Sequence, residues 1–148
     1  MNQLEYSFPS NKMIYSITID LTKIGVDENF DINCSNEEKI DRVVKLLEAV
    51  QNLSLIVKGS LDNASPIFVI GGFTKFKTHI FDQLVKIKDN KLLITDSLLK
   101  KLEKNEDCHV GMIDETFDND KEIKEKLNAI DVDDFFDELI EKVKEYYS

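Results

Sequence analysis

The stretch Lys58-Gly59-Ser60-Leu61-Asp62-Asn63-Ala64-Ser65-Pro66-Ile67-Phe68-Val69-Ile70-Gly71-Gly72-Phe73 decides how the rest of the chain is read. A polar loop ends at Pro66, an apolar run follows, and two glycines close it. The run is apolar at consecutive positions, so both faces are predicted to be covered and the strand to lie centrally in a sheet. Pro66 is compatible with that start, because the first residue of a strand need not donate to the ladder. Gly71-Gly72 lacks the spacing of a dinucleotide-binding turn and predicts a bend or bulge instead.

Upstream, Met13, Tyr15, Ile17, Ile19 and Leu21 alternate with Ser16, Thr18 and Asp20, which predicts a strand over 13–21. Gly25 and the polar residues 27–33 predict a loop. Ser35-Asn36-Glu37-Glu38 is a capping box: the Ser35 hydroxyl can accept the Glu38 amide, and both acids suit the positive end of a helix. Ile40, Val43, Val44, Leu47, Val50 and Leu53 then recur at three- and four-residue steps, predicting a helix over 36–54.

Downstream, Lys88-Asp89-Asn90-Lys91 predicts a hairpin turn between strands at 84–87 and 92–95. Asp96 is placed to cap a short helix carrying Leu98, Leu99 and Leu102. Residues 108–113 read as another strand. Asp118 is placed to cap a helix over 119–128, and Asp131 or Asp133 to open the last one. There Val132, Phe135, Phe136, Leu139, Ile140, Val143 and Tyr147 form an apolar stripe.

This order predicts an α+β fold with a ferredoxin-like (RRM-like) split βαβ sheet and a helical, acidic C-terminal extension. One domain is expected over 1–148, with the sheet and its helices in 1–113 and the acidic helices in 114–148. At 42% hydrophobic and 32% charged, the composition is that of a folded chain rather than a disordered one.

The net charge of −10 is unevenly placed. Residues 1–102 hold 13 Lys/Arg and 13 Asp/Glu, whereas residues 103–148 hold 6 Lys and 16 Asp/Glu, so the whole excess lies in the last third. Arg42 is the single arginine. Nucleic-acid binders neutralise phosphates with Lys and Arg, so this balance speaks against a free-standing RNA or DNA binder. No apolar run approaches the roughly 18–20 residues of a membrane span, and the first ten residues lack the pattern of a signal peptide. Cys34 and Cys108 have no framework spacing and read as reduced thiols. A cytoplasmic protein of a bacterial cell is expected, with no membrane partner.

The residues that could carry chemistry form no recognisable centre. Cys108 and His109 are adjacent, hence on opposite sides of a strand, and no Cys or His pair has zinc-ligand spacing. Asp114, Glu115, Asp118 and Asp120 cluster without the glycine and terminal glutamate of a calcium loop. No nucleophile elbow or phosphate loop occurs. Neither an enzyme nor a catalytic, metal or cofactor site is expected, and no small-molecule substrate.

Two surfaces stand out. Phe73, Lys75, Phe76, Lys77, Lys86 and Lys88 interleave aromatics with cations, a pattern that can stack bases and hold phosphates. The plainer alternative is that the aromatics are core and the lysines a solvated edge that blunts strand pairing. Asp134, Asp137, Glu138, Glu141 and Glu145 lie opposite the stripe of the last helix. They are either a solvated face or a surface that docks on a basic groove.

Several stretches, in order, resemble the C-terminal half of the DevR-type backbone family, the seventh Cas protein family, which coats guide RNA in type I-B Cascade. Tyr15-Ser16-Ile17-Thr18-Ile19-Asp20-Leu21 followed by Gly25-Val26 is similar to the family's strand and turn, with Lys23-Ile24-Gly25 departing at the basic residue. Asn36-Glu37-Glu38-Lys39 through Arg42-Val43 and Leu46-Leu47 resembles its central helix. Ser65-Pro66-Ile67-Phe68-Val69-Ile70-Gly71-Gly72 matches best. Val110-Gly111-Met112, Phe117-Asp118-Asn119 and Tyr146-Tyr147 are also similar. The chain has roughly half the length expected of that family and lacks a counterpart of its N-terminal portion, so it looks like a truncated relative.

From that resemblance follows the expectation of an anti-CRISPR protein, of the kind phages deploy. It would imitate a backbone subunit and inhibit a type I-B interference complex by mimicry, occupying a protein interface. The expected partners are Cascade subunits, with guide RNA touched only indirectly. The alternative is a genuine, shortened Cascade backbone component that binds guide RNA.

Overall fold

The computed structural model describes residues 12–57, 60–75 and 79–148. Among them the strands form antiparallel pairs of two: β1 (Val26–Asp27) with β2 (Ile32–Asn33), β3 (Ser54–Val57) with β4 (Ser60–Asn63), β5 (Phe68–Gly72) with β8 (Cys108–Met112), and β6 (Ile87–Lys88) with β7 (Lys91–Leu92). The helices are α1 (Asn36–Gln51), α2 (Asp96–Lys104), α3 (Asp120–Leu127) and α4 (Val132–Tyr147). The protein is α+β, built from helices around small antiparallel sheets.

The β5–β8 pair is the axis of the described structure. Side chains alternate across a strand, so Phe68, Ile70, Cys108, Val110 and Met112 enter one core, shared with Phe81, Leu92, Leu98, Phe117, Ile123 and Leu127. Val69 faces the other way into a second core, where Val43 and Leu47 of α1 meet Val132, Phe135, Phe136, Val143 and Tyr147 of α4. Val110, Leu98 and Ile123 are fully buried in the first core, as Val43 and Phe136 are essentially buried in the second. Burying side chains of this size is worth about 1.5–3 kcal/mol each, which makes the two cores the main stabilising terms.

Local chemistry sets the element ends. The Ser35 hydroxyl accepts the Glu38 amide at 3.3 Å, the expected half of the capping box. Asp131 caps α4 by accepting the Asp133 amide at 2.8 Å. The β6–β7 turn has Asp89 and Asn90 both at positive φ, 52° and 60°, the two-residue turn whose twist suits a hairpin.

Several expectations are corrected. Residues 13–21 form no strand: Met13, Ile14, Tyr15 and Ile17 are exposed, and their alternation meets no ladder. The polar residues 27–33 are not simple loop but contribute to the β1–β2 hairpin. Thr95, not Asp96, caps α2, accepting the Leu98 amide at 3.2 Å. Asp118 caps nothing; it accepts a hydrogen bond from Asn90 at 3.0 Å, and α3 begins two residues later. Gly71 and Gly72 make no bulge, since the ladder runs through Gly71 to His109 and Gly72 to Cys108. Gly72 is required because a Cβ there would collide with the Asp107 carbonyl oxygen, whereas one at Gly71 would meet nothing within 4 Å.

Candidate functional site

β5 was expected in the middle of a sheet, and among the described residues it is paired on one edge only. The Ile113 amide donates to Ile67 at 2.9 Å, which fixes the phase of the ladder. Val69 and Gly71 therefore exchange bonds with Gly111 and His109, while the amides and carbonyls of Phe68, Ile70 and Gly72 point away from β8. The far edge of β8 is closed. Met112 donates to Ile130 at 2.8 Å, and Ile130 donates to Val110 at 2.9 Å. Among the described residues no backbone group meets the outer edge of β5, all of whose residues are half-buried.

Residues 12–21 join no ladder and are tied down by individual side-chain contacts. Lys12 lies 5.3 Å over the Phe117 ring, and Phe117 stands edge-on to Phe68 at 6.1 Å. Ser16 donates to Asp82 at 2.7 Å, and Thr18 contacts Nδ1 of His79 at 3.0 Å. The Leu21 carbonyl accepts the Tyr147 hydroxyl at 2.6 Å. Residues 12–21 are thus held at Phe117, Asp82, His79 and Tyr147, and Met13, Tyr15 and Ile17 are exposed.

The sequence-predicted aromatic and basic residues do not form one surface. Phe73 packs into the second core, its ring 6.0 Å from Tyr146. Lys75 is exposed beyond it. Phe76 and Lys77 lie outside the described residues. Lys86 and Lys88 are exposed on the β6 hairpin, whose Val85 and Ile87 pack against the first core. The two groups are on opposite faces of β5–β8, and Phe73 is committed to packing rather than free to stack.

The acidic residues do share a surface. Asp134, Asp137, Glu138, Glu141 and Glu145 are all exposed on α4, opposite its buried stripe. Glu141 pairs with Lys144 at 3.3 Å. Such an exposed pair is worth little. No ion pair among the described residues engages Asp134, Asp137, Glu138 or Glu145. Glu138 reaches the end of β5, where it lines a small cleft with Gly71, Gly72, Phe73 and Lys142.

Cys108 is buried, and burial, reinforced by the Asp107 charge, pushes its thiol up to about 11, the opposite of a reactive cysteine. No group of three or more His, Cys, Asp or Glu among the described residues is placed to hold a metal ion. No helix there is long and apolar enough to cross a membrane. The open edge itself was missed by sequence reasoning, because composition marks a strand as apolar but does not count its neighbours.

Compared with known protein families, curated proteins and solved structures, the chain matches none.

Proposed function

We propose that the chain is an anti-CRISPR protein that imitates a backbone subunit of type I-B Cascade and blocks the complex by occupying a protein interface. The observation that carries this is the position of Ser65–Gly72. The segment most similar to the backbone family contains β5, and among the described residues no backbone group pairs with its outer edge. Docking of this kind needs no bond chemistry. A ferredoxin-like sheet belongs to the same proposal: β5 and β8 supply two of its strands, and the partner subunit extends it. The action takes place in the bacterial cytoplasm, where the effector assembles.

Guide-RNA binding as a genuine backbone component is the second possibility, favoured by the exposed Lys75, Lys86 and Lys88. It is disfavoured by the commitment of Phe73 to Tyr146 and by the net charge of −10.

The test is co-purification with a type I-B complex, with subunits counted, beside an interference assay. Inhibition with fewer native backbone subunits per complex is expected, surviving alanine at His79 and His109. A chain that neither joins nor blocks the effector, yet binds single-stranded RNA with a clear salt slope, would overturn the proposal in favour of the second.

A further inference from the structure

We propose that the depression between residues 79–84 and α2 binds a small zwitterion, an α-amino acid with an apolar side chain. This goes beyond the function proposed above, which involves no small molecule, and does not depend on it.

The depression has a volume of about 280 Å³ and is lined by His79, Ile80, Asp82, Gln83, Leu84 and Lys101. That is room for one small molecule, just under the usual range of about 300–1,000 Å³ for ligand sites. Ile80 and Leu84 are half-buried and pack against the first core, which fixes the apolar part of the lining. Lys101 is half-buried on the last turn of α2. Asp82 and Lys101 thus bring opposite charges to one depression, yet no ion pair among the described residues joins them. Asp82 is positioned by Ser16, whose hydroxyl donates to one of its carboxylate oxygens at 2.7 Å. His79 is tied to Thr18 through Nδ1 at 3.0 Å, a bond that does not use Nε2.

Opposite charges that line one depression without pairing complement a molecule that carries both. A carboxylate would be held by the Lys101 ammonium and an ammonium by the Asp82 carboxylate, each through a charge-assisted hydrogen bond about twice as strong as a neutral one. A simple anion would meet the Asp82 charge, and a simple cation the Lys101 charge, so neither suits the whole lining. The Gln83 amide both donates and accepts, and so can serve either end. Ile80 and Leu84 remain for the side chain of the ligand, which should therefore be apolar.

The experiment is an amide NMR titration of the full chain with L-leucine, N-acetyl-L-leucine and L-leucinamide, at constant ionic strength. Leucine should shift the amides of residues 79–84 and Lys101 and reach saturation. N-acetyl-leucine lacks the ammonium and leucinamide the carboxylate, so each should bind about tenfold more weakly, the worth of one charged hydrogen bond. Asp82 and Lys101 belong to neither core, so Lys101→Gln and Asp82→Asn should keep the fold, and asparagine retains an oxygen for Ser16. Lys101→Gln should weaken leucine and N-acetyl-leucine and leave leucinamide unchanged. Asp82→Asn should weaken leucine and leucinamide and leave N-acetyl-leucine no weaker. No saturable shift with leucine would overturn the proposal. Equal binding of the three compounds, or variants that weaken all three alike, would overturn it too, because the two charges would then play no part in recognition.

Discussion

The hydroxyl of Tyr147, the last residue of α4, donates to the carbonyl oxygen of Leu21 at 2.6 Å, tying two residues 126 apart in the chain. Leu21 packs against the second core, and Tyr147 is buried within it. The bond ties the end of segment 12–21 to the second core.

Tyr147→Phe keeps the ring and deletes that bond. A net loss of about 0.5–1.5 kcal/mol is expected, the usual worth of one intramolecular hydrogen bond. It is read as a lower urea midpoint with faster amide exchange confined to residues near Leu21. Burial, then the charges of Tyr146 and Asp20, raise the Tyr147 hydroxyl above its ordinary 10.0. The folded state therefore holds the proton more tightly than the unfolded chain does. The stabilisation is complete below pH 10 and is lost as pH rises through the folded value. Thermal midpoints measured from pH 8 upward should fall above pH 10, and fall less steeply in Tyr147→Phe.

Gly71 and Gly72 are neighbours with opposite tolerances. Alanine at Gly71 has open space and should change stability by no more than about 0.5 kcal/mol, as a substitution away from packing does. Alanine at Gly72 must push back the Asp107 backbone, at a cost of about 1–3 kcal/mol. Chemical denaturation of the two variants, otherwise isomeric, separates close approach of two backbones from any general loss of glycine flexibility.

Loop 114–119 is pinned by Asp120 rather than Asp118. The Asp120 carboxylate accepts the amides of Phe117, at 2.8 Å, and of Glu115. Asp120→Ala leaves two backbone donors without their partner and should cost about 1–3 kcal/mol, more than Asp118→Ala, which loses one exposed contact to Asn90. Urea midpoints for the two variants check the order. A larger loss in Asp118→Ala would mean that Asp118 is the stronger tie after all.

What the sequence made legible follows from which forces are local. The apolar stripe of α4 and the period of α1 reached the structure almost residue for residue, with Val43, Leu47, Phe135, Phe136 and Val143 all buried. Their signal is repeated over many residues and does not depend on a partner. Strand 13–21 failed for the converse reason: alternation shows that a segment can be half-buried, but only a ladder makes it a strand, and β5 and β8 pair with each other instead. The α2 cap moved by one residue because Thr95 and Asp96 are both competent, and backbone geometry chose between them. On the candidate site, the acidic face of α4 was legible from spacing alone. The open edge of β5 was not, since it is a property of what lies beside a strand rather than of the strand.

The α4 face gives the last prediction. Asp137, Glu141 and Glu145 are exposed and play no part in either core, so Asp137→Lys with Glu145→Lys should leave the urea midpoint within about 0.5 kcal/mol of the parent. If these carboxylates steer a basic partner, the same variant should associate more slowly, with dissociation little changed. The deficit should shrink as salt is raised, because rim charges act mainly on encounter and are screened beyond a Debye length of about 8–10 Å. Stopped-flow or surface-based kinetics against the partner at two ionic strengths distinguishes the cases. A purely solvated face would leave both rate constants unchanged, and a face buried at the centre of the interface would raise the dissociation rate instead.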